Sequence, residues 1–293
     1  MKLLNHINTY QSEADYKNDK TKNFPNVSYI VENDNVLFVK EKTDYSTQYL
    51  TFEAIENGTF TFTGTSSNSL SYSLDDGQTW TALASGTASP TVTAGNKIMW
   101  KGELTPTSYN GSGIFSATAN FNVQGNIMSL LFGDDFTNQT DLTGKDYAFY
   151  NLFYQNTDIK SAKNLVLPAT TLARWCYRGM FGDCKSLVTA PTLPATTLAN
   201  RCYQYMFGGC TSLTSAPELP ATTLASECYN SMFYGCSSLN YIKAMFTTIP
   251  GEDYTYVWVS DVASSGIFVK NSAASWNVTG VSGIPEGWTV VTE

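Results

Sequence analysis

The chain is 293 residues long, carries a formal net charge of −8 and devotes only 14% of its residues to charged side chains. That length suits two or three domains, and with no Lys/Arg cluster to neutralise phosphates a nucleic-acid surface is excluded. No apolar run reaches about 18 residues, so no segment reads as a membrane-spanning helix and no membrane insertion is expected.

Residues 1–23 are polar and mixed in charge, with Leu3, Leu4, Ile7 and Tyr10 as the only short apolar pattern. This stretch reads as an extended or weakly helical arm. It has an early lysine but no apolar core, so it is not a secretory signal; the expectation is a chain kept in the cytoplasm where it is made, or a mature form. Next, Val27–Val31 and Val36–Val39 flank Glu32–Asn35, which predicts a β-hairpin. A lone hairpin is marginal in water, so pairing with another chain or domain is expected.

Residues 45–135 read as strands throughout: YLTFEAI, GTFTFTG, LSYSLDDGQTWTAL, TVTAGNKIMWKG, GIFSATANFNV and NIMSLLFGD. Asn57-Gly58, Asp76-Gly77, Gly95 and Asn110-Gly111 punctuate them at the spacing of an Ig-like β-sandwich. Ser73–Trp80 resembles the Asp-box of sialidase-type propellers, a hairpin device that occurs once here, whereas a propeller needs several blades. Asp75/Asp76 and Asp134/Asp135 are the carboxylate pairs a calcium site or a glycosidase could use, but both lie in glycine-containing turns where acidic residues are ordinary.

From Leu167 a block repeats three times with a period of 26 residues: LPATTLARWCYRGMFGDCKSLVTAP, LPATTLANRCYQYMFGGCTSLTSAP and LPATTLASECYNSMFYGCSSLNYIK. All six cysteines fall inside it, at 176, 202 and 228 and again at 184, 210 and 236. A block of this length cannot bury its apolar face alone, so copies must stack. Cys176, Tyr177, Met180, Phe181 and Cys184 have the spacing of one face of a short helix, followed by an extended segment that prolines close. Residues 152–171 keep the pattern loosely: Leu152 and Phe153 stand for Met-Phe, Asn156 for the cysteine and Ile159 for the leucine, with two extra residues before Pro168. After the third copy the pattern fades into a Tyr/Trp/Val-rich tail, as terminal capping requires.

The C-x7-C-x-S-L-x-x-A-P unit joined to L-P-A-T-T-L-A resembles the bacterial leucine-rich repeats of the BspA-like type, over residues 147–250. The resemblance implies a curved right-handed solenoid of short strand plus short helix per coil, used in adhesion and in protein or glycan binding. FPNVSYIVENDNVLFV, a β-domain ending NVQGNIMSLLFGDDF and then such repeats together resemble structural proteins of crAss-like and related Bacteroides-infecting phages. That likeness implies a head-fibre or tail-fibre protein on the virion surface, synthesised and assembled in the host cytoplasm. It also implies a homo-oligomer, with a trimer favoured. The division it suggests is 1–44 for attachment to other virion proteins of capsid or tail, 45–135 as a β-sandwich spacer, 136–260 as repeats facing the host surface, and 261–293 as a C-terminal cap. The alternatives are a bacterial BspA-like surface adhesin and, from another class, a carbohydrate-active enzyme built on the sandwich.

The six cysteines predict a buried structural ladder. Cys176 and Cys184 stand about 12 Å apart along a helix, beyond the roughly 7 Å reach of a disulfide. A column of three equivalents about 5 Å apart cannot pair completely. Zinc wants thiolates grouped by short loops with histidine a frequent partner, and His6 is the only histidine, so no metal is expected. No nucleophile elbow, phosphate loop, HExxH or dinucleotide fingerprint occurs; neither enzymatic activity nor a cofactor is expected. Binding is expected where the copies differ. Arg174 and Trp175 share a register with Arg201 and Glu227, and Arg178 shares one with Gln204 and Tyr205, predicting two adjacent exposed columns with the Trp/Tyr/Arg composition of a binding surface. The alternative is that these positions are solvated and unconstrained.

Overall fold

The computed structural model describes residues 27–32, 36–41, 44–64, 69–106 and 113–293. The chain divides into two compact units, Met1–Asp44 and Tyr45–Glu293. In the first, β1 (Val27–Glu32) and β2 (Val36–Glu41) pair antiparallel, with Tyr29 opposite Val39 and Ile30 opposite Phe38. The hairpin expected from the sequence therefore forms; the arm before it and the turn at 33–35 lie outside the described residues.

The second unit is mainly β. Strands β3 (Leu50–Ala54), β4 (Phe60–Gly64), β5 (Leu70–Ser73), β6 (Thr81–Leu83), β7 (Lys97–Gly102), β8 (Gly113–Ala117) and β9 (Phe121–Asn126) follow the alternating runs of the sequence. In β4, Phe60 and Phe62 are buried while Thr61 and Thr63 are not, the period-two pattern of a strand with one covered face. A six-stranded sheet has the order β10-β9-β3-β7-β5-β6, where β10 is Ile159–Val166, and β4 pairs with β8 in a second sheet. The two meet through aromatic rings: Phe52 lies 5.3 Å from Phe60 and 4.9 Å from Phe115, and Phe121 lies 5.0 Å from Phe60, centroid to centroid. Each such buried ring contributes roughly 1.5–3 kcal/mol.

The stretch NIMSLLFGD does not continue as a strand. Beyond Asn126 the chain turns into α1 (Ser129–Phe132) and a 3-10 turn at Gly133–Asp135. Ile127, Met128 and Leu130 are all fully buried, so the run has no polar face to alternate with, and Asn126 Oδ1 accepts the Met128 amide to start the turn.

The repeats stack coil on coil, but the expected short helix is absent. Residues 173–184 form linked turns instead, with a left-handed residue at every fourth position: Trp175, Gly179 and Asp183 have φ of 57°, 59° and 58°. Alternate amides do different things. Cys176, Arg178, Met180, Gly182 and Cys184 donate three residues back within the coil, whereas Tyr177, Gly179, Phe181 and Asp183 donate to Cys202, Gln204, Met206 and Gly208 of the next coil. An α-helix sends every interior amide along its own axis and leaves none for a neighbour; this ribbon satisfies its own groups and its neighbour's at once. The 0, 1, 4, 5, 8 spacing suits a four-residue period as well as a helical one. Because the period is four, equivalent side chains form straight ladders. Phe153, Phe181, Phe207 and Phe233 stack at centroid spacings of 5.3, 5.7 and 5.9 Å, and Tyr177, Tyr203 and Tyr229 at 5.7 and 6.1 Å. On the opposite side of each coil the extended segments meet as parallel bridges, such as Ser161 with Thr189 and Ser215 with Tyr241.

The ends are closed by different means. At the first coil, β10 extends the β-domain sheet by pairing parallel to β9. On the ribbon side, the Phe115 amide of β8 donates to Leu152 O at 2.8 Å, the same bond that Phe153 makes to Met180 and Phe181 to Met206. The Phe115 ring stacks on Phe153 at 5.8 Å. The β-domain thus occupies the place of a preceding coil, and one apolar core runs from Leu50 to Trp288 with no break at the expected 135/136 division. At the far end, α2 (Glu252–Thr255) precedes a further ribbon in which Trp258 O accepts from Phe233. There β11 (Tyr241–Ala244), β12 (Ile267–Lys270) and β13 (Thr289–Thr292) form a parallel sheet. Trp258, Trp276 and Trp288 are buried beneath it, so the aromatic tail caps the stack as its composition suggested.

Candidate functional site

The ribbon face of the stack carries the two columns of differing residues expected from the sequence. The first column runs Tyr147, Trp175, Arg201, Glu227, each left-handed. Its tryptophan corrects the sequence reading: Trp175 is only 5% exposed. Its ring stacks on Tyr147 at 4.6 Å, and the guanidinium carbons of Arg174 and Arg201 stand 4.1 and 5.4 Å from its centroid. The indole is buried because Tyr147 and the two arginine side chains close over it. Arg201 donates onward to the Glu227 carboxylate, and Arg174, itself exposed, faces Asp146 at 3.5 Å.

The second column runs Tyr150, Arg178, Gln204. Arg178 Nε donates to Gln204 Oε1 at 2.7 Å and its NH1 to the Tyr150 hydroxyl, so one guanidinium ties three consecutive coils. The two columns exist in the expected registers, but of the seven residues Arg174, Trp175, Arg178, Arg201, Gln204, Tyr205 and Glu227 most bind one another along the stack. Half-exposed pairs of this kind contribute little to stability after solvent screening, about 0–1 kcal/mol each; their effect is to fix side-chain geometry.

Tyr205 differs. Its ring lies across Gly208 and Gly182: a Cβ on Gly208 would come 2.3 Å from the ring, and one on Gly182 would come 2.9 Å from it. Its hydroxyl donates to Asp183 Oδ2 at 3.3 Å. Burial and the Asp183 carboxylate push the Tyr205 phenol well up, and the same two causes raise Tyr154, which approaches Gly182 from the preceding coil. Asp183, Tyr154, Gly182 and Gly208 were not singled out by sequence reasoning. The signal was present, since the residue after the ladder phenylalanine reads Tyr154, Gly182, Gly208, Tyr234 down the coils.

The cysteines are all free and all buried. The thiols of Cys184, Cys210 and Cys236 donate to the carbonyls of Phe153, Phe181 and Phe207, each at 3.0 Å. Asn156 stands in for the cysteine of the first coil and sends its Nδ2 to Phe115 O at 3.2 Å, the equivalent bond into the β-domain. Burial pushes Cys176, Cys228 and Cys236 up to about 12 and raises Cys184, Cys202 and Cys210 as well. These are protonated packing groups and hydrogen-bond donors, not nucleophiles.

One carboxylate of each acidic pair is held by hydrogen bonds within the β-domain. Asp75 accepts from the Thr79 amide and hydroxyl and from Ser73, and these bonds hold its carboxyl at about 2, which is the hairpin role its motif implied. Asp134 accepts from Lys101 at 2.7 Å and from the Tyr49 hydroxyl at 2.7 Å, and Lys101 lies 4.4 Å over the Trp80 ring. Comparison of the chain with protein-family models, with curated proteins and with solved structures finds no match.

Proposed function

We propose that this chain is a structural protein of a phage virion, of the head-fibre or tail-fibre type. On this reading residues 1–44 attach to other virion proteins, 45–135 are an Ig-like sandwich, and 136–260 are a BspA-like leucine-rich-repeat solenoid presented to the host surface, with 261–293 as its cap. The protein would be a homo-oligomer, with a trimer favoured. The observation that supports the reading is the continuity of the core within the second unit, Tyr45–Glu293. Within that unit a single apolar core extends from the β-domain through every coil, so the repeats are anchored to the β-domain. The four-coil run of side chains on the ribbon face supports a recognition role rather than a catalytic one, since its charged groups are tied in pairs.

The test is the protein's location. Mass spectrometry of purified particles should find it at a stoichiometry that is a multiple of the oligomer, and labelled antibody should place it outside the capsid or along the tail. Detection on bacterial envelopes and not in particles would favour the adhesin reading instead.

A further inference from the structure

We infer that the free edge of β13 (Thr289–Thr292) docks an extended segment of another protein in which apolar and basic residues alternate. The site lies in the far cap, outside the repeats, and does not depend on the virion reading. At the near end the parallel side of the stack has no free edge, because β10 pairs with β9 and so joins the β-domain sheet. At the far end the same side runs through β11 and β12 to β13 and stops there among the described residues. The Thr289 and Glu293 amides donate back to Gly266 and Lys270 at 2.9 and 3.0 Å. Alternate residues of a parallel strand serve opposite neighbours, so the amides and carbonyls of Val290 and Thr292 face away from β12. Among the described residues no hydrogen bond satisfies them. All four residues of the strand are exposed, and none of the usual guards of an edge is present: no lysine, proline or bulge.

The register defines what an added strand meets. Ile242, Phe268 and Val290 form one cross-strand row; the first two are fully buried, and Val290 is 43% exposed for want of a further neighbour. Lys243, Val269 and Val291 form a row on the other side of the sheet, where Val291 is 45% exposed. Side chains of an incoming strand alternate between these two sides. Glu293, two residues beyond Val291 and so on the same side, shares Lys243 with Glu218: the two carboxylates lie 2.9 and 3.4 Å from one ammonium. The other exposed charges from Gly251 onward, on Glu252, Asp253, Asp261 and Glu286, are all acidic, and the single basic residue there, Lys270, is buried. This charge selects the occupant. A second copy would bring the same acidic end against this one, whereas a segment with Lys or Arg on the Val291 side is attracted. In strand addition the main-chain bonds supply affinity and alternate side chains supply the choice of partner.

The test uses the full chain and three labelled peptides read by fluorescence anisotropy: KVKVKVK, its acidic counterpart EVEVEVE, and KVKPKVK, which keeps the charge but interrupts the ladder. KVKVKVK should bind, and the other two should bind at least about tenfold more weakly. Val290→Pro removes an outward amide and none of the bonds to β12; it should weaken KVKVKVK at least about tenfold and leave the melting temperature unchanged. Glu286→Gln combined with Glu293→Gln should weaken it about threefold at low salt, an effect that high salt abolishes. Hydrogen exchange on the wild type gives a reading that needs no variant: saturating KVKVKVK should protect the Val290 and Thr292 amides. Absence of binding, equal binding of KVKPKVK or EVEVEVE, or binding without new protection at those two amides overturns the proposal. An oligomer that loses subunits in Val290→Pro shows a second copy on the edge, and overturns it as well.

Discussion

Replacing Phe115 by alanine should destabilise the repeats as much as the β-domain that contains it. The ring is 1% exposed and lies 4.9 Å from Phe52, 5.0 Å from Phe62, 5.2 Å from Trp100 and 5.8 Å from Phe153. Truncating a buried phenylalanine costs about 3–5 kcal/mol. Three of those neighbours belong to the β-domain and the fourth begins the phenylalanine ladder, so the cavity opens at the junction itself. For a unit of this size a urea slope of roughly 3 kcal/mol per molar converts that loss to a midpoint lowered by roughly 1–1.7 M. Hydrogen exchange read by mass spectrometry across a urea series resolves where the change falls. Peptides from 50–126 and from 173–244 should share one midpoint in the wild type and move together in Phe115→Ala, because neighbouring coils stabilise each other mainly through their interfaces. Should the repeat peptides hold their midpoint while the β-domain peptides shift, the two parts are separate cooperative units, and the β-domain does not act as a first coil.

Trp175→Ala should cost about 3–5 kcal/mol despite its place among the variable positions, whereas Tyr205→Phe should change stability by under about 0.5 kcal/mol; urea melts of the two variants compare them directly, and an unshifted Trp175→Ala midpoint would contradict the buried indole. Iodoacetamide at pH 8 should leave the native cysteines unlabelled and reach all six after denaturation without reductant, since thiols pushed up to about 12 stay protonated; fewer than four labelled would sink the free ladder. Asp75, held at about 2 against an ordinary 3.8, supports the β5–β6 hairpin fully above pH 3.8 and loses that support as pH falls through 2. The Thr79 amide should therefore stay protected from exchange at pH 4 and lose protection towards pH 2. A chain beginning at Tyr45 should fold with unaltered circular dichroism yet fail to enter particles, and normal incorporation would move the attachment site elsewhere.

The stack was legible because its letters recur: the ladder of Cys, Tyr, Met and Phe is written three times, and Asn156 was recognisable as a cysteine substitute before its bond to Phe115 was visible. The ribbon was not legible as such, since a period of four and a period of 3.6 differ by too little over nine residues to be told apart. What separates them is the alternation of amides between coils, a property of the neighbour and not of the segment. Trp175 shows the same limit in another form. Its position varies between copies, and variation was read as exposure; the indole is buried because Tyr147 and Arg201, one coil away on each side, close over it. Phe115 carries no pattern that links it to Phe153, because the segment from 118 to 152 separates them and only the folded sheet brings them together.

Because every coil offers its successor the same alternating set of amide donors, the ribbon does not record how many coils there should be. The heptapeptide LPATTLA recurs identically at 167, 193 and 219, which supplies the gene with matched seams at which unequal recombination can add or remove a unit. An in-frame gain or loss of 26 codons would insert or delete one coil, leaving the Phe115 end and the tryptophan end chemically unaltered, and would move the far end by about 5 Å. Natural variants of this chain should accordingly differ in length by whole multiples of that unit, a reach adjustable in fixed steps by a genetic event that never disturbs the fold.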